Sequence, residues 1–326
     1  MRLATILPEN GTTPVAAVAV DTQNWVNLHA FLSFFGETHA STNPNSPLAY
    51  FLPFLMPRFS ELTRKISDWP EHGRVFQKRG GKTMRAKRFL PPILRPPSFR
   101  DFYAFEQHAR TIRARLGLDM VQAWYEIPVF YFSNPSSLVG QEAEIFAPAD
   151  SKELDFELEL GLVIGNRGRN IRAENAWNYV AGFTIVNDFS ARDLQRAEIA
   201  VGLGPAKGKD FATAVGPVLV TRDEFADKID NEKFSLEMRA RVNGRELSRG
   251  NANMLFHTFP RMIAQASRDA DVFPGDLLGS GTVGMGCILE MGPENAGGWL
   301  KAGDVIELDV ERIGTLRTKV AARPAV

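Results

Sequence analysis

The chain has 326 residues, 38 of them Lys or Arg and 38 Asp or Glu, with 44% hydrophobic residues and one cysteine. At roughly 100–200 residues per domain, this length fits one large domain or two unequal ones with a sizeable core, which excludes a disordered chain. Zero formal net charge offers no field to hold a polyanion, so nucleic acid is excluded as a default partner; Cys287 alone can form no intrachain disulfide and no cysteine-rich metal site, which points to a reducing cytoplasm.

Residues 2–7 and 15–20 read as the strands of a hairpin, and a short apolar helix comes next at 28–35. Pro8, Glu9, Asn10 and Pro14 interrupt the apolar N-terminus, so it lacks the core of a signal peptide. No run approaches the ~20 apolar residues of a membrane span; the proline-broken segment 48–56 comes nearest. Asn, Ser and Pro predict a loop over 41–57, and 58–68 reads as an amphipathic helix. Residues 74–88 then carry Arg74, Lys78, Arg79, Lys82, Arg85, Lys87 and Arg88 without a single acid. A solvated linker is preferred there over an anion-attracting rim or a nucleic-acid arm, because Phe76 is the one aromatic available for stacking. Pro91, Pro92, Pro96 and Pro97 stiffen the next stretch of chain and place a boundary near residue 90. The expected division is a small β-rich domain with its basic linker over 1–90 and a larger domain over 91–326.

Beyond the boundary the pattern predicts a helix at 101–116 and strands at 127–132, 154–164, 180–187, 215–220, 234–242 and 304–311. Further helices are expected at 172–178, 190–197 and 255–268. Asn243 and Gly244 supply the positive φ angles of a type I′ hairpin turn. The fold class is therefore mostly β, of the α+β kind, with helices decorating a sheet or barrel and no repeat of fixed period.

Five segments carry the polar chemistry. In the strand at 154–164, alternation puts Asp155, Glu157 and Glu159 on one face and Phe156, Leu158 and Leu160 on the other. Carboxylates ~7 Å apart repel by about 2 kcal/mol per pair at an effective dielectric of 20. The stripe must be solvated, paired or bound to a cation. A wet outer face is the ordinary reading, but the strand continues into the apolar run 160–164, where solvation is poor. With no Cys cluster and scattered His, a hard cation such as Mg²⁺, Mn²⁺ or Ca²⁺ suits such oxygens better than zinc.

The apolar strand 180–187 ends in Asn187 and Asp188; Ser190 is placed to cap a helix on which Arg192 and Gln195 share a face. The alternative is an ordinary cap with a surface Arg. The stretch 202–211 fails the phosphate-loop spacing, because five residues separate Gly202 from Gly208 and Asp210 comes directly after Lys209. It reads as a rigid loop presenting Lys209, an exposed surface lysine being the plainer alternative. His108 lies shortly after Asp101 and Tyr103 and, by itself, is as well explained by a structural role. In 278–290, Gly279, Gly281, Gly284 and Gly286 permit close backbone approach, and Glu290 lies just beyond.

Taken in this order, the five segments resemble the fumarylacetoacetate hydrolase family over about residues 91–326. The signatures are an acid, aromatic and His segment, an E-x-E strand, an N-D-x-S-A-R-D-x-Q stretch, a G-P-x-x-G-K loop, and S-G-T with a downstream Glu. The resemblance implies the family's mixed β-sandwich/roll preceded by a small N-terminal β domain, and a homodimer. It implies Mg²⁺, or Ca²⁺ or Mn²⁺, held by Asp101, Glu157, Glu159 and Asp188. It makes His108 the general base for water with Glu290 orienting it, sets Arg192, Gln195 and Lys209 around the developing negative charge, and puts Tyr103, Tyr131 and Thr282 against substrate. Asp155 receives no metal role. The implied activity is hydrolysis of the C–C bond of a 1,3-diketo acid in aromatic catabolism. Two departures, Arg196 with its neighbours where the animal enzymes have a tyrosine and Phe132, Ser133 and Asn134 where the family has His-Gly-Arg, leave an acylpyruvate or fumarylpyruvate as good a candidate as fumarylacetoacetate. Two rivals stand beside it: a hydratase, decarboxylase or tautomerase acting on a 2-oxo acid, and a non-enzymatic β-rich protein with a cation site.

Overall fold

The computed structural model describes residues 1–37, 43 and 45–323. Its centre is a large sheet in which the strands Arg2–Pro8, Thr213–Thr221, Val180–Asp188, Leu158–Ile164, Leu277–Gly279 and Phe99–Phe102 are neighbours in that order. All these pairings are antiparallel except that of Phe99–Phe102 with Leu277–Gly279. A second, five-stranded sheet contains the hairpin Glu237–Val242 and Arg245–Asn251, whose turn residues Asn243 and Gly244 have φ of 53° and 78°, as a type I′ turn requires.

Period-two alternation decides what each face of the large sheet meets. Leu158, Leu160, Leu162, Phe183, Ile185, Val218 and Val220 pack against Met238, Ala240, Ile306, Leu308 and Leu316 of the second sheet. The opposite face presents Val163, Ala181, Val186, Val215 and Leu219 to an N-terminal layer built on Leu28, Phe31, Leu48, Phe51, Phe59 and Trp69. The result is the mixed sandwich expected from the sequence, with more helix than the strand-dominated pattern indicated. No helix is long and apolar enough to cross a membrane among the described residues.

Several local expectations change. The segment expected as a loop over 41–57 contains the helix Leu48–Leu55, which the burial of Leu48, Phe51, Leu52 and Leu55 stabilises despite Pro53; residues 41, 42 and 44 lie outside the described residues. The basic stretch 74–88 is not an extended linker. It finishes the helix Trp69–Lys78 and supplies the strand Ala86–Leu90, paired with Arg2–Pro8. Asp101 belongs to the strand Phe99–Phe102 and not to a helix, which begins only at Glu106. Ser190 pairs with Asp155 in a short bridge of strands and makes no side-chain cap.

Candidate active site

The acidic residues gather on the sheet face that carries the N-terminal layer, at the end that layer leaves free. Asp101 shares its face with Phe99, Glu159 with Val163, and Asp188 with Val186, so each strand runs from apolar packing into a carboxylate. Register brings Asp101 opposite Gly279, and Gly279 opposite Gly161 on the strand that carries Glu159. With no side chain on the strand between them, the two carboxylates approach across it. A Cβ at Gly279 would overlap Asp101 Oδ1 and lie 2.9 Å from Glu159 Oε2. These same oxygens are buried and accept no hydrogen bond. Burial, then the charge of Asp188, holds the Asp101 carboxyl well above the usual range; burial, then Asp101 and Glu157, does the same to Glu159.

The other two acids are paired with cations. Lys209 Nζ donates to Glu157 Oε2 at 2.5 Å and to Asp188 Oδ2 at 2.6 Å. Tyr131 donates to the same Asp188 oxygen at 2.6 Å, and Thr213 to Oδ1 at 3.0 Å. Arg192 donates to Glu157 at 2.7 Å, to Asp155 at 2.9 Å and to Gln195 at 3.0 Å. Burial acts to raise the Glu157 carboxyl, but Lys209 and Arg192 outweigh it and hold it below the usual range. Lys209 is buried, contrary to the exposed-lysine alternative.

Two residues do work that the motifs did not reveal. Glu198, on the helix Arg192–Ala200, accepts the backbone N–H groups of Ala206, Lys207 and Gly208 and so clamps the loop that presents Lys209. Asp155 accepts the N–H groups of Ile288 and Leu289 at 2.7 and 3.0 Å while bound to Arg192. It thereby fastens Arg192 to the short helix Ile288–Met291, which carries Glu290. A signal for Glu198 was present in its place, an acid near the end of a helix that leads directly into a glycine-rich loop; nothing local in the sequence marks Asp155 off from Glu157 and Glu159.

His108 Nδ1 stands 2.8 Å from Glu290 Oε2, both groups being buried. The Glu290 carboxylate is itself held by the N–H groups of Met285 and Gly286 at 3.0 Å each. Tyr103 packs edge-on against the His108 ring, its hydroxyl 3.5 Å from the Ala109 carbonyl. A cavity of about 380 Å³ opens onto Asp101, Glu157, Glu159, His108, Arg192, Lys209, Gln195, Tyr103, Tyr131 and Thr282. Thr282 donates to Glu159 at 3.4 Å. Asp188 and Glu290 stand one layer behind the cavity wall, through Tyr131, Lys209 and His108.

The residues fit a hard divalent cation at the Asp101–Glu159 end. Six buried carboxylates, those of Asp101, Asp155, Glu157, Glu159, Asp188 and Glu290, stand against the two buried cations Arg192 and Lys209, and two of their oxygens, Asp101 Oδ1 and Glu159 Oε2, have no hydrogen-bond partner. A doubly charged ion would reduce that deficit. Lys209 stands between Glu157 and Asp188, so those oxygens are directed to its ammonium. The one set of three His, Cys, Asp or Glu ligand atoms within 4.8 Å of one another among the described residues is His108, Cys287 and Glu290.

A curated relative, the mitochondrial oxaloacetate tautomerase Fahd2a of Rattus norvegicus, is 36% identical over 198 residues, 59% of this chain and 58% of that protein. A 2,4-didehydro-3-deoxy-L-rhamnonate hydrolase of Sphingomonas sp. (strain SKA58) is 36% identical over 195 residues, 60% of this chain and 65% of that one. The chain thus spans about three-fifths of the length of these curated relatives. Maleylpyruvate hydrolase from Sphingobium sp. SYK-6, solved in complex with manganese(II) and pyruvate, shares the fold with a TM-score of 0.67 at 20% identity, covering 98% of this chain and 99% of that one. Residues 98–321 match the family model described as the C-terminal part of fumarylacetoacetate (FAA) hydrolase, and the chain belongs to the fumarylacetoacetate hydrolase family.

Proposed function

We propose that the protein is a metal-dependent hydrolase that splits an acylpyruvate or a similar 1,3-diketo acid into a carboxylic acid and pyruvate. The observation that carries this reading is the His108–Glu290 pair, 2.8 Å apart, beside a cavity that also holds Lys209 and Arg192. A non-hydrolytic binding protein has no use for a buried imidazole backed by a buried carboxylate at such a place.

A divalent cation held by Asp101 and Glu159 would supply Lewis-acid polarisation of the dicarbonyl oxygens, while Glu157 and Asp188, engaged by Lys209, hold that ammonium in place. The rest of the chemistry is assigned to the chain. Glu290 lies 2.8 Å from Nδ1 without a hydrogen bond formed there, close enough to orient the imidazole when the two align, and the other ring nitrogen of His108 takes a proton from water. The water oxygen bonds to the acyl carbonyl carbon, and Lys209 and Arg192 stabilise the alkoxide. The C–C bond between that carbon and the central methylene then breaks, its electron pair passing to the methylene carbon as pyruvate enolate, which is protonated to pyruvate. Gln195 steadies Arg192, and Tyr103, Tyr131 and Thr282 line the space for substrate.

Magnesium as the native ion, a homodimeric state, a cytoplasmic setting, a place in aromatic catabolism and a division into residues 1–90 and 91–326 belong to the same proposal. The test is release of pyruvate from acetylpyruvate with Mg²⁺ or Mn²⁺ and after EDTA. Turnover that ignores the chelator would sink it. A second reading, tautomerase or lyase chemistry on a 2-oxo acid, is favoured by the 36% identity to a protein called an oxaloacetate tautomerase. It needs no activated water, so His108→Ala with full activity would favour it.

A further inference from the structure

The cavity has two unlike ends. Its polar end is the cluster of carboxylates, lysine and histidine. Its other wall is formed by Ile112, Leu116, Leu118, Val129, Ile199 and Leu289. Leu116, Leu118 and Ile199 are 47%, 50% and 51% exposed. Single exposed apolar side chains are ordinary; several on one wall of a cavity that also holds reactive groups mark a place where a ligand removes them from water.

We infer that this wall receives the distal end of the substrate, and that this end is an apolar chain or ring. The inference rests on the acylpyruvate reading. Two arginines border the wall: Arg196 is paired with Glu153 at 2.8 Å, and Arg113 donates its Nε to the Asp119 carbonyl, so tails ending in a carboxylate and in a methyl group are compared directly in the experiment. Arg192 and Lys209, the buried cations, are fixed at the polar end by Asp155, Glu157 and Asp188. The occupant is substrate because the wall is continuous with the reacting end in one cavity of about 380 Å³. The positions that set tail preference are Leu116, Leu118 and Ile199.

The experiment compares acetyl-, butanoyl- and hexanoylpyruvate with fumarylpyruvate on the full chain loaded with Mn²⁺. The expected result is a rise in kcat/KM of about fourfold per added methylene, the value of burying one such group. Hexanoylpyruvate should exceed fumarylpyruvate at least tenfold. A flat series, or a preference for fumarylpyruvate, overturns the inference. Leu116→Ser and Ile199→Ser should each lower the ratio of hexanoyl- to acetylpyruvate turnover. Equal loss on both substrates, or a changed oligomeric state on size exclusion, would give the wall to folding or to a second copy and overturn it as well. Calorimetry with pyruvate, 2-oxohexanoate and 2-oxooctanoate separates the two claims. Affinity that climbs with chain length, in a protein that cleaves no acylpyruvate, upholds the apolar subsite and removes the hydrolase reading; cleavage without any such climb does the reverse.

Discussion

His108 Nδ1 and Glu290 Oε2 lie 2.8 Å apart, the one on a helix just after an edge region of the large sheet, the other on a short helix near the end of the chain. Since Glu290 is held by two backbone N–H groups, its position does not depend on His108. His108→Ala is expected to lower kcat for acylpyruvate cleavage by about 10²–10⁴, the usual worth of a general base, with little change in KM. Glu290→Gln should also lower kcat, and a shifted pH profile would separate loss of orientation from loss of fold. Steady-state kinetics beside thermal melts check both.

Gly279→Ala tests the carboxylate pair. The added methyl would overlap Asp101 Oδ1 and crowd Glu159 Oε2. Mn²⁺ affinity measured by calorimetry should fall at least about tenfold, the loss expected when a ligand is displaced from its orientation. Unchanged affinity would place the cation elsewhere.

Acidity should govern the ion-free protein in a defined sense. Burial and neighbouring acids raise Asp101 and Glu159 above the usual carboxylate range. A carboxyl raised in the folded state contributes no penalty below its unfolded pKa, and stability is lost as pH rises from there through the folded value. The chelated protein should therefore melt at progressively lower temperature as pH climbs above about 4. Added Mn²⁺ should restore more stability at the higher pH, because the ion competes with protons for those oxygens. Melting curves across pH, with and without the ion, provide the measurement.

Asp155→Asn removes the charge that links Arg192 to the Glu290 helix. Breaking one partner of a buried ion pair costs about 3–5 kcal/mol, an upper figure here because Glu157 remains. Denaturant unfolding should show that loss together with a lower kcat. Asp155→Glu is expected not to rescue it, since the backbone N–H groups of Ile288 and Leu289 fix the distance.

Glu198→Ala should leave the fold in place and loosen the loop that carries Lys209, since Ala206, Lys207 and Gly208 lose their acceptor. A fall in kcat with a faster exchange of those amides is the expected outcome. Retained protection at all three would show that Gly208 packing on Gln195 suffices.

Much of the fold and site was legible in residue order. The Asn243–Gly244 turn predicted its hairpin, and the five motifs led to the family that residues 98–321 match, whereas the single strand expected over 154–164 is two, Leu154–Asp155 and Leu158–Ile164, with Glu157 in the break between them and Asp155 in a separate small sheet. The local elements that differ share a cause. The helix Leu48–Leu55, with Pro53 inside it, and the strand Ala86–Leu90 in a basic run both contradict intrinsic preference and are held by tertiary packing and pairing.

What the chain by itself determined is therefore the chemistry available: hard oxygen donors, an imidazole, and cations at recognisable spacings. Folding decided how these divide. Strand register sets Asp101 and Glu159 across Gly279 with no cationic partner, while a clamped loop drives Lys209 between Glu157 and Asp188. Which acid meets an ammonium and which is left for an ion depends on contacts between segments far apart in the sequence, and no local pattern encodes those distances.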